Sequence, residues 1–183
     1  MNTNYPDKLK VLYPRQEIEA AVTRLAAEIT REYQTRNPLI LGVLKGSFVF
    51  MSDLVRRLDF PLETDFVQLS SYGCGTESSG KINISHDLKS PVAGRDVLVV
   101  EDIVDTGNSL TFLEGYLKKK KPASLQFCSL LDKPSRRQVP VTVHYRGFTV
   151  PDKFVVGYGM DYAEQYRNLP DICVLDKRGS QRD

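Results

Sequence analysis

Ile18, Val22, Leu25 and Ile29 recur at intervals of four, three and four residues among charged and polar neighbours. That is the stripe of an amphipathic helix with one face on a core, and it predicts a helix over residues 15–34. After Pro38, the unbroken apolar run Leu39–Leu44 suits a strand buried on both faces. Lys45-Gly46-Ser47 then turns the chain into Phe48, Met51, Val55 and Leu58, again at helical spacing. The same order recurs further on: an apolar strand over 96–103, a turn Val104-Asp-Thr-Gly-Asn-Ser109, and a helix ending in the Lys118–Lys121 run before Pro122. Two strand-turn-helix units predict the α/β class, with a parallel sheet flanked by helices. Leu125–Leu131, Val141–Tyr145, Phe154–Tyr158 and Ile172–Leu175 read as further strands, punctuated by Pro134, Pro140, Pro151 and Pro170. Residues 70–81, rich in Gly and Ser with few apolar anchors, predict a mobile excursion rather than a packed loop.

Composition narrows the classes. A chain of 183 residues is expected to form one domain over 1–183. Twenty-five Lys and Arg against twenty-three Asp and Glu leave a formal charge of +2, too balanced to suggest nucleic-acid binding. Cys74, Cys128 and Cys173 are odd in number and widely spaced, which supports neither a disulfide framework nor a structural zinc site. Residues 1–14 lack the apolar core of a secretion signal. The apolar runs fall far short of the roughly 20 residues that cross a bilayer as a helix. A cytoplasmic protein without a membrane span is expected.

The chemistry concentrates where the second strand meets its turn. In an open parallel sheet, ligands bind beyond the carboxyl ends of strands, where turns deliver backbone amides and helices point their positive ends. Thr106-Gly107-Asn108-Ser109 has the composition of a cradle offering N–H donors to a phosphate. A plain strand-to-helix connection with a capping Ser or Thr has the same composition. Glu101, Asp102 and Asp105, immediately before the cradle, weigh toward a site. Helix capping explains one acid but not three. Clustered carboxylates beside a phosphate call for a cation or for hydroxyl donors, and a sugar together with magnesium supplies both.

The run Val-Val-Glu-Asp-Ile-Val-Asp-Thr-Gly-Asn-Ser over 99–109 resembles the phosphoribosyl pyrophosphate signature of type I phosphoribosyltransferases. Leu44-Lys45-Gly46, Ser71-Tyr72, Leu131-Asp-Lys133, Pro151-Asp-Lys-Phe-Val-Val-Gly-Tyr158 and Asp161-Tyr-Ala-Glu-Gln-Tyr-Arg167 are similar, in order, to segments of hypoxanthine-guanine phosphoribosyltransferases. The likeness covers most of residues 10–176. It implies a Rossmann-like parallel-sheet core flanked by helices, a small hood built from the chain termini, and a flexible lid over about 70–85.

By that resemblance, Glu101 and Asp102 face the ribose hydroxyls and magnesium, while Asp105 accepts the purine N7 proton. Thr106, Gly107, Asn108 and Ser109 hold the 5-phosphate, Ser109 standing where many relatives have threonine. Lys45, Gly46 and Arg167 bind the departing pyrophosphate, with a cis peptide bond between Leu44 and Lys45. Lys133 donates to the 6-oxo group of the base, Phe154 stacks on it, and Val155 meets it through its backbone. Asp161 accepts from the ring or a 2-amino group and meets a second metal through water. Ser71 and Tyr72 head the lid. Met160 adjoins the base pocket at a position that varies among relatives, which leaves the choice among 6-oxopurines open.

The implied activity is purine salvage: transfer of the phosphoribosyl group to hypoxanthine or guanine, by a homodimer or homotetramer. Two other readings stand beside it. One is an RNA-binding regulator on the same fold, which requires a basic face that the charge balance does not suggest. The other is an enzyme for a different base, such as xanthine, adenine or a pyrimidine.

Overall fold

The computed structural model describes residues 8–71 and 82–176. Its strands are β1 (Lys8–Tyr13), β2 (Leu39–Leu44), β3 (Glu63–Ser71), β4 (Ile82–His86), β5 (Asp96–Val104), β6 (Ser124–Asp132), β7 (Tyr145–Thr149), β8 (Val155–Val156) and β9 (Ile172–Asp176). Three helices join them: α1 (Arg15–Tyr33), α2 (Phe48–Val55) and α3 (Asn108–Lys119). The strands form a six-stranded sheet in the order β4-β3-β2-β5-β6-β7 and a three-stranded sheet in the order β1-β9-β8. The small antiparallel sheet brings both ends of the described chain together and corresponds to the expected hood.

Within the large sheet β3, β2, β5, β6 and β7 run parallel, but β4 pairs antiparallel with β3. A parallel return takes a crossover of about a dozen residues or more, and only residues 72–81 separate β3 from β4. The ends of the stretches expected as an excursion over 70–81 and a lid over about 70–85 are strand, and residues 72–81 lie outside the described residues. Ser70 and Ser71 finish β3, and 82–85 belong to β4. A strand over Val141–Tyr145 is also corrected, because β7 starts at Tyr145. The Phe127 N–H donates to His144 Nδ1 (3.1 Å) instead of to a strand partner, so the β6–β7 ladder begins at Cys128 and Tyr145. Between Phe154 and Tyr158 only Val155 and Val156 are strand.

Burial follows the alternation of a strand covered on both sides. Leu98 and Val100 of β5 pack with α1 and α2, through Ile18, Val22, Leu25, Ile29, Phe50 and Leu54. Val97 and Val99 face the other way, onto Leu110, Leu113 and Leu117 of α3. Each such side chain contributes on the order of 1.5–3 kcal/mol by leaving water. The buried face of α2 is Phe50, Met51 and Leu54, whereas Phe48 is 45% exposed. The predicted stripe is thus rotated, since the helix stops at Val55 and Leu58 is buried outside it. No helix among the described residues is long and apolar enough to cross a membrane.

Candidate active site

The chain leaves β2 toward β3 and β4 on one side and, beginning again at β5, continues to β6 and β7 on the other. The order of the sheet therefore reverses between β2 and β5, the place where open α/β sheets leave a crevice. Here the β2–β5 ladder ends at Gly42 and Val100, so β5 continues alone on that side from Glu101. Two cavities lie along it. One, of about 90 Å³, is lined by Glu101, Ile103, Val104, Asp105, Thr106, Gly107, Ser109 and Leu110. The other, of about 210 Å³, is lined by Asp102, Ile103, Asp105, Lys133, Phe154, Val155, Met160 and Asp161. Ile103 and Asp105 belong to both.

Strand alternation divides the two adjacent acids. Glu101 shares the α3 side with Val97 and Val99, and Asp102 the opposite side with Leu98 and Val100. Glu101 Oε2 is buried without a hydrogen-bond partner, and burial, reinforced by the neighbouring Asp102, pushes its carboxyl well above the usual range. A buried carboxylate oxygen left unpaired is costly, and a cation or a donated sugar hydroxyl satisfies it. Burial also pushes Asp102 up to about 6, against the Ile103 N–H at 2.9 Å and the Arg167 guanidinium, which favour its ionised form. Among the described residues, no three His, Cys, Asp or Glu side chains gather to hold a metal by themselves. Magnesium commonly binds through one or two carboxylates together with substrate phosphates, and these two acids suit that use.

The raised Asp102 fixes the sign of a stability effect. The unfolded carboxyl ionises near 3.8, whereas the folded one keeps its proton to about 6. Its stabilising contribution is full below 3.8 and is lost as pH rises to about 6. In metal-free protein with a chelator present, Asp102→Asn is expected to gain stability relative to the parent as pH rises through that window. Denaturant titrations across it check this, and a difference that does not change with pH contradicts it.

Residues 106–109 carry the turn into α3. Gly107 caps α3 in the left-handed region, at φ 88°. A Cβ there would meet Val139 O at 2.9 Å and the Arg137 side chain at 3.2 Å. The loop behind the cradle supplies that backing. Gln138 N–H donates to Thr106 O (2.9 Å), and Asn108 Nδ2 donates to Gln138 Oε1 (3.1 Å). The first turn of α3 presents N–H groups that have no partner within the helix, and the helix dipole favours an anion there. Gly107→Ala is expected to cost about 1–3 kcal/mol of backbone strain and to weaken binding of ribose 5-phosphate. Chemical denaturation and titration calorimetry measure the two effects.

Lys133 leaves the end of β6 and is buried, 6% exposed. Its Nζ donates to Lys153 O at 2.6 Å, which fixes the ammonium at the wall of the larger cavity with donors to spare. Val155 is buried in that wall, and Phe154, 42% exposed, meets the Tyr162 ring edge-on at 5.5 Å. Asp161 Oδ1 pairs with Arg167 Nη2 at 2.8 Å. Arg167 Nη1 donates to Gly159 O at 2.8 Å.

The Leu44–Lys45 peptide bond is cis. Gly46 abuts Asp102 so closely that a Cβ there would fall 1.8 Å from Oδ2. Gly159, at φ 99°, rests on Gly46 O. Tyr158 Oη donates to Asp53 Oδ2 (2.7 Å), tying this segment to α2. The 44–47 turn, Asp102 and the 157–161 segment are thus one packed unit. Lys45 Nζ reaches Glu164 Oε2 at 3.0 Å across this unit.

Ser71 ends β3, and Tyr72 lies outside the described residues. Sequence reasoning passed over Ile103, shared by both cavities, and three charged side chains. Arg136 Nε lies 3.1 Å from Asp105 Oδ1, without hydrogen-bond alignment, and its Nη1 lies 3.5 Å from Asp152 Oδ1. Arg137 pairs with the buried Asp132 behind the cradle. Glu164 joins Lys45 to Arg167. The available signal for the arginines was their place just past the carboxyl end of β6, in a sheet whose ligands gather at that edge.

Residues 9–163 match the phosphoribosyl transferase domain family. Hypoxanthine-guanine phosphoribosyltransferase of Bacillus subtilis is 51% identical over 166 residues, covering 91% of this chain and 92% of its own. Hypoxanthine phosphoribosyltransferase of Salmonella typhimurium is 46% identical over 174 residues, covering 92% and 98%. The bifunctional TilS/HprT protein of Listeria monocytogenes is 52% identical over 169 residues, and there the chain spans 26% of the relative's length. The crystal structure of a hypoxanthine phosphoribosyltransferase from Staphylococcus aureus superposes with a TM-score of 0.90 at 44% identity, covering 96% of both chains. The chain belongs to the phosphoribosyltransferase family, and within it to the hypoxanthine-guanine phosphoribosyltransferases.

Proposed function

We propose that this protein transfers the 5-phosphoribosyl group of phosphoribosyl pyrophosphate to N9 of hypoxanthine or guanine, releasing pyrophosphate. The observation that carries the reading is the pair of cavities meeting at Asp105: a small one bordered by Glu101 and the 106–109 turn, and a larger one walled by a buried lysine and an exposed phenylalanine. A sugar phosphate seated in the first presents its C1 toward a base seated in the second. Family membership supports the same activity.

In the reaction, the bond between C1 and the pyrophosphate oxygen breaks and its electron pair leaves with pyrophosphate. The N9 lone pair forms the new bond at C1, and Asp105 accepts the proton from N7. Positive charge developing on the ribose is stabilised by Glu101 and Asp102, one from each face of β5. Thr106, Gly107, Asn108 and Ser109 hold the 5-phosphate. Lys45, the Gly46 backbone and Arg167 receive the diphosphate. Lys133 donates to the 6-oxo group and therefore meets adenine's 6-amino group donor to donor, which sets base choice. Phe154 packs on the base, and Val155 and Asp161 bound its edge. Glu101, Asp102 and Asp161 are the residues that would hold magnesium. The metal supplies charge neutralisation of the diphosphate.

The test is initial-rate assay of hypoxanthine, guanine, xanthine, adenine and uracil with phosphoribosyl pyrophosphate and magnesium. Turnover confined to 6-oxopurines is expected. Turnover of adenine or uracil alone would replace the base assignment, and RNA binding with no turnover of any base would replace the enzyme reading.

A further inference from the structure

Glu164 lies in a peculiar backbone. Ala163, Glu164 and Tyr166 all have positive φ, at 52°, 64° and 76°, a region that residues other than glycine seldom adopt. The segment is held there by reciprocal hydrogen bonds between Tyr162 and Gln165, and by the Glu164 N–H donating to Asp161 Oδ2 at 2.9 Å. The result aims the Glu164 side chain back over the packed unit of the 44–47 turn and the 157–161 segment. A single oxygen, Oε2, then lies 3.0 Å from Lys45 Nζ and 3.3 Å from Arg167 Nη2. These two cations come from distant parts of the chain, and they are the pair assigned above to the leaving group.

We propose that Glu164 sets the affinity for pyrophosphate by competing with it for Lys45 and Arg167. The inference rests on the pyrophosphate reading of those two residues. An anion that engages both cations must displace the carboxylate or accept its charge a few ångströms away. Side-chain exposure makes displacement easy: Glu164 is 65% exposed and Lys45 52%, so the pair is screened and weak.

Arg167 does not depend on Glu164 for its position. Its side chain is 19% exposed and is anchored separately by Gly159 O and Asp161 Oδ1, both at 2.8 Å. Removing the Glu164 charge therefore frees Lys45 but leaves the arginine aimed. The loss of repulsion outweighs the loss of order, because one flexible lysine is released while two cations are unmasked. The lowered pKa of Glu164, caused first by Lys45 and then by Arg167, agrees with this coupling. Glu164 acts on affinity and release of the leaving group and touches no reacting atom.

Titration calorimetry with magnesium pyrophosphate on the full chain tests the idea. Glu164→Gln keeps size and backbone conformation but removes the charge. It is expected to bind pyrophosphate more tightly by roughly three- to tenfold, with product inhibition by pyrophosphate strengthened by the same factor. Binding of GMP, which does not use Lys45, is expected to be unchanged. Glu164→Asp keeps the charge and is expected to tighten less than Glu164→Gln. Unchanged or weaker pyrophosphate binding in Glu164→Gln overturns the inference, as does equal tightening in both variants, which would assign the effect to shape. If the parent turns over 6-oxopurines and only the Glu164 effect is missing, the functional reading survives. If the parent binds neither pyrophosphate nor GMP, both fall.

Discussion

Asp105→Asn is expected to lower kcat by roughly 10²- to 10⁴-fold, the usual worth of a positioned general base. Asparagine has the shape of aspartate and keeps a hydrogen-bonding oxygen, so the cavity walls stay in place. It cannot take up the N7 proton, so N9 must attack without gaining the electron density that deprotonation supplies. The ion pair with Arg136 is lost too, but Arg136 keeps Asp152 as a second partner and is half exposed, so little stability goes with it. The affinity for phosphoribosyl pyrophosphate, held by the cradle and the diphosphate cations, is expected to change by less than about threefold. Single-turnover kinetics together with equilibrium binding separate the two effects. Turnover equal to that of the parent would remove Asp105 from the proton transfer.

Lys133→Met comes next in size. A hydrogen bond from a charged donor is worth about 1.5–3 kcal/mol, so kcat/KM for hypoxanthine is expected to fall by roughly 10- to 150-fold. Adenine gains nothing from the lysine, and its rate is expected to hold or rise, so the ratio between the two bases should collapse. Lys153 O loses the donor that now lies 2.6 Å away. Ribose 5-phosphate binding, which we assign to 106–109, serves as the control for intact folding. A variant that still prefers hypoxanthine over adenine by the parent's margin would show that base choice lies elsewhere in the pocket.

The sequence made the two-sided strands and the acidic run before the cradle readable because each follows from local chemistry. Leu39–Leu44 and Val97–Val100 are unbroken apolar stretches that only a doubly covered sheet buries. The turn read between the strand and α3 is there, although its cap is Gly107 in the left-handed region and not a Ser or Thr side chain. Other features depended on distant partners. β3 carries Glu63, Thr64, Asp65, Gln68 and Ser70 among its apolar residues, so its strand character comes from pairing with β2 and β4 rather than from its own pattern. Val141–Tyr145 alternates like a strand, yet the His144 ring takes the Phe127 N–H and the ladder starts only at Tyr145. The adjacency of Glu101 and Asp102 suggested a shared place, whereas strand alternation puts them on opposite faces of β5, each lining a different one of two adjoining cavities. Nothing in the sequence around Glu164 points to Lys45, 119 residues away, which the fold brings to its side.

The central claim is that one carboxylate at the junction of two cavities serves transfer of a phosphoribosyl group onto a purine. The most direct measurement incubates the protein with hypoxanthine, phosphoribosyl pyrophosphate and magnesium, and quantifies nucleotide and pyrophosphate together. Inosine 5'-monophosphate linked through N9 and pyrophosphate are expected in equal amounts. Pyrophosphate released without nucleotide, or no product from any 6-oxopurine, would contradict it.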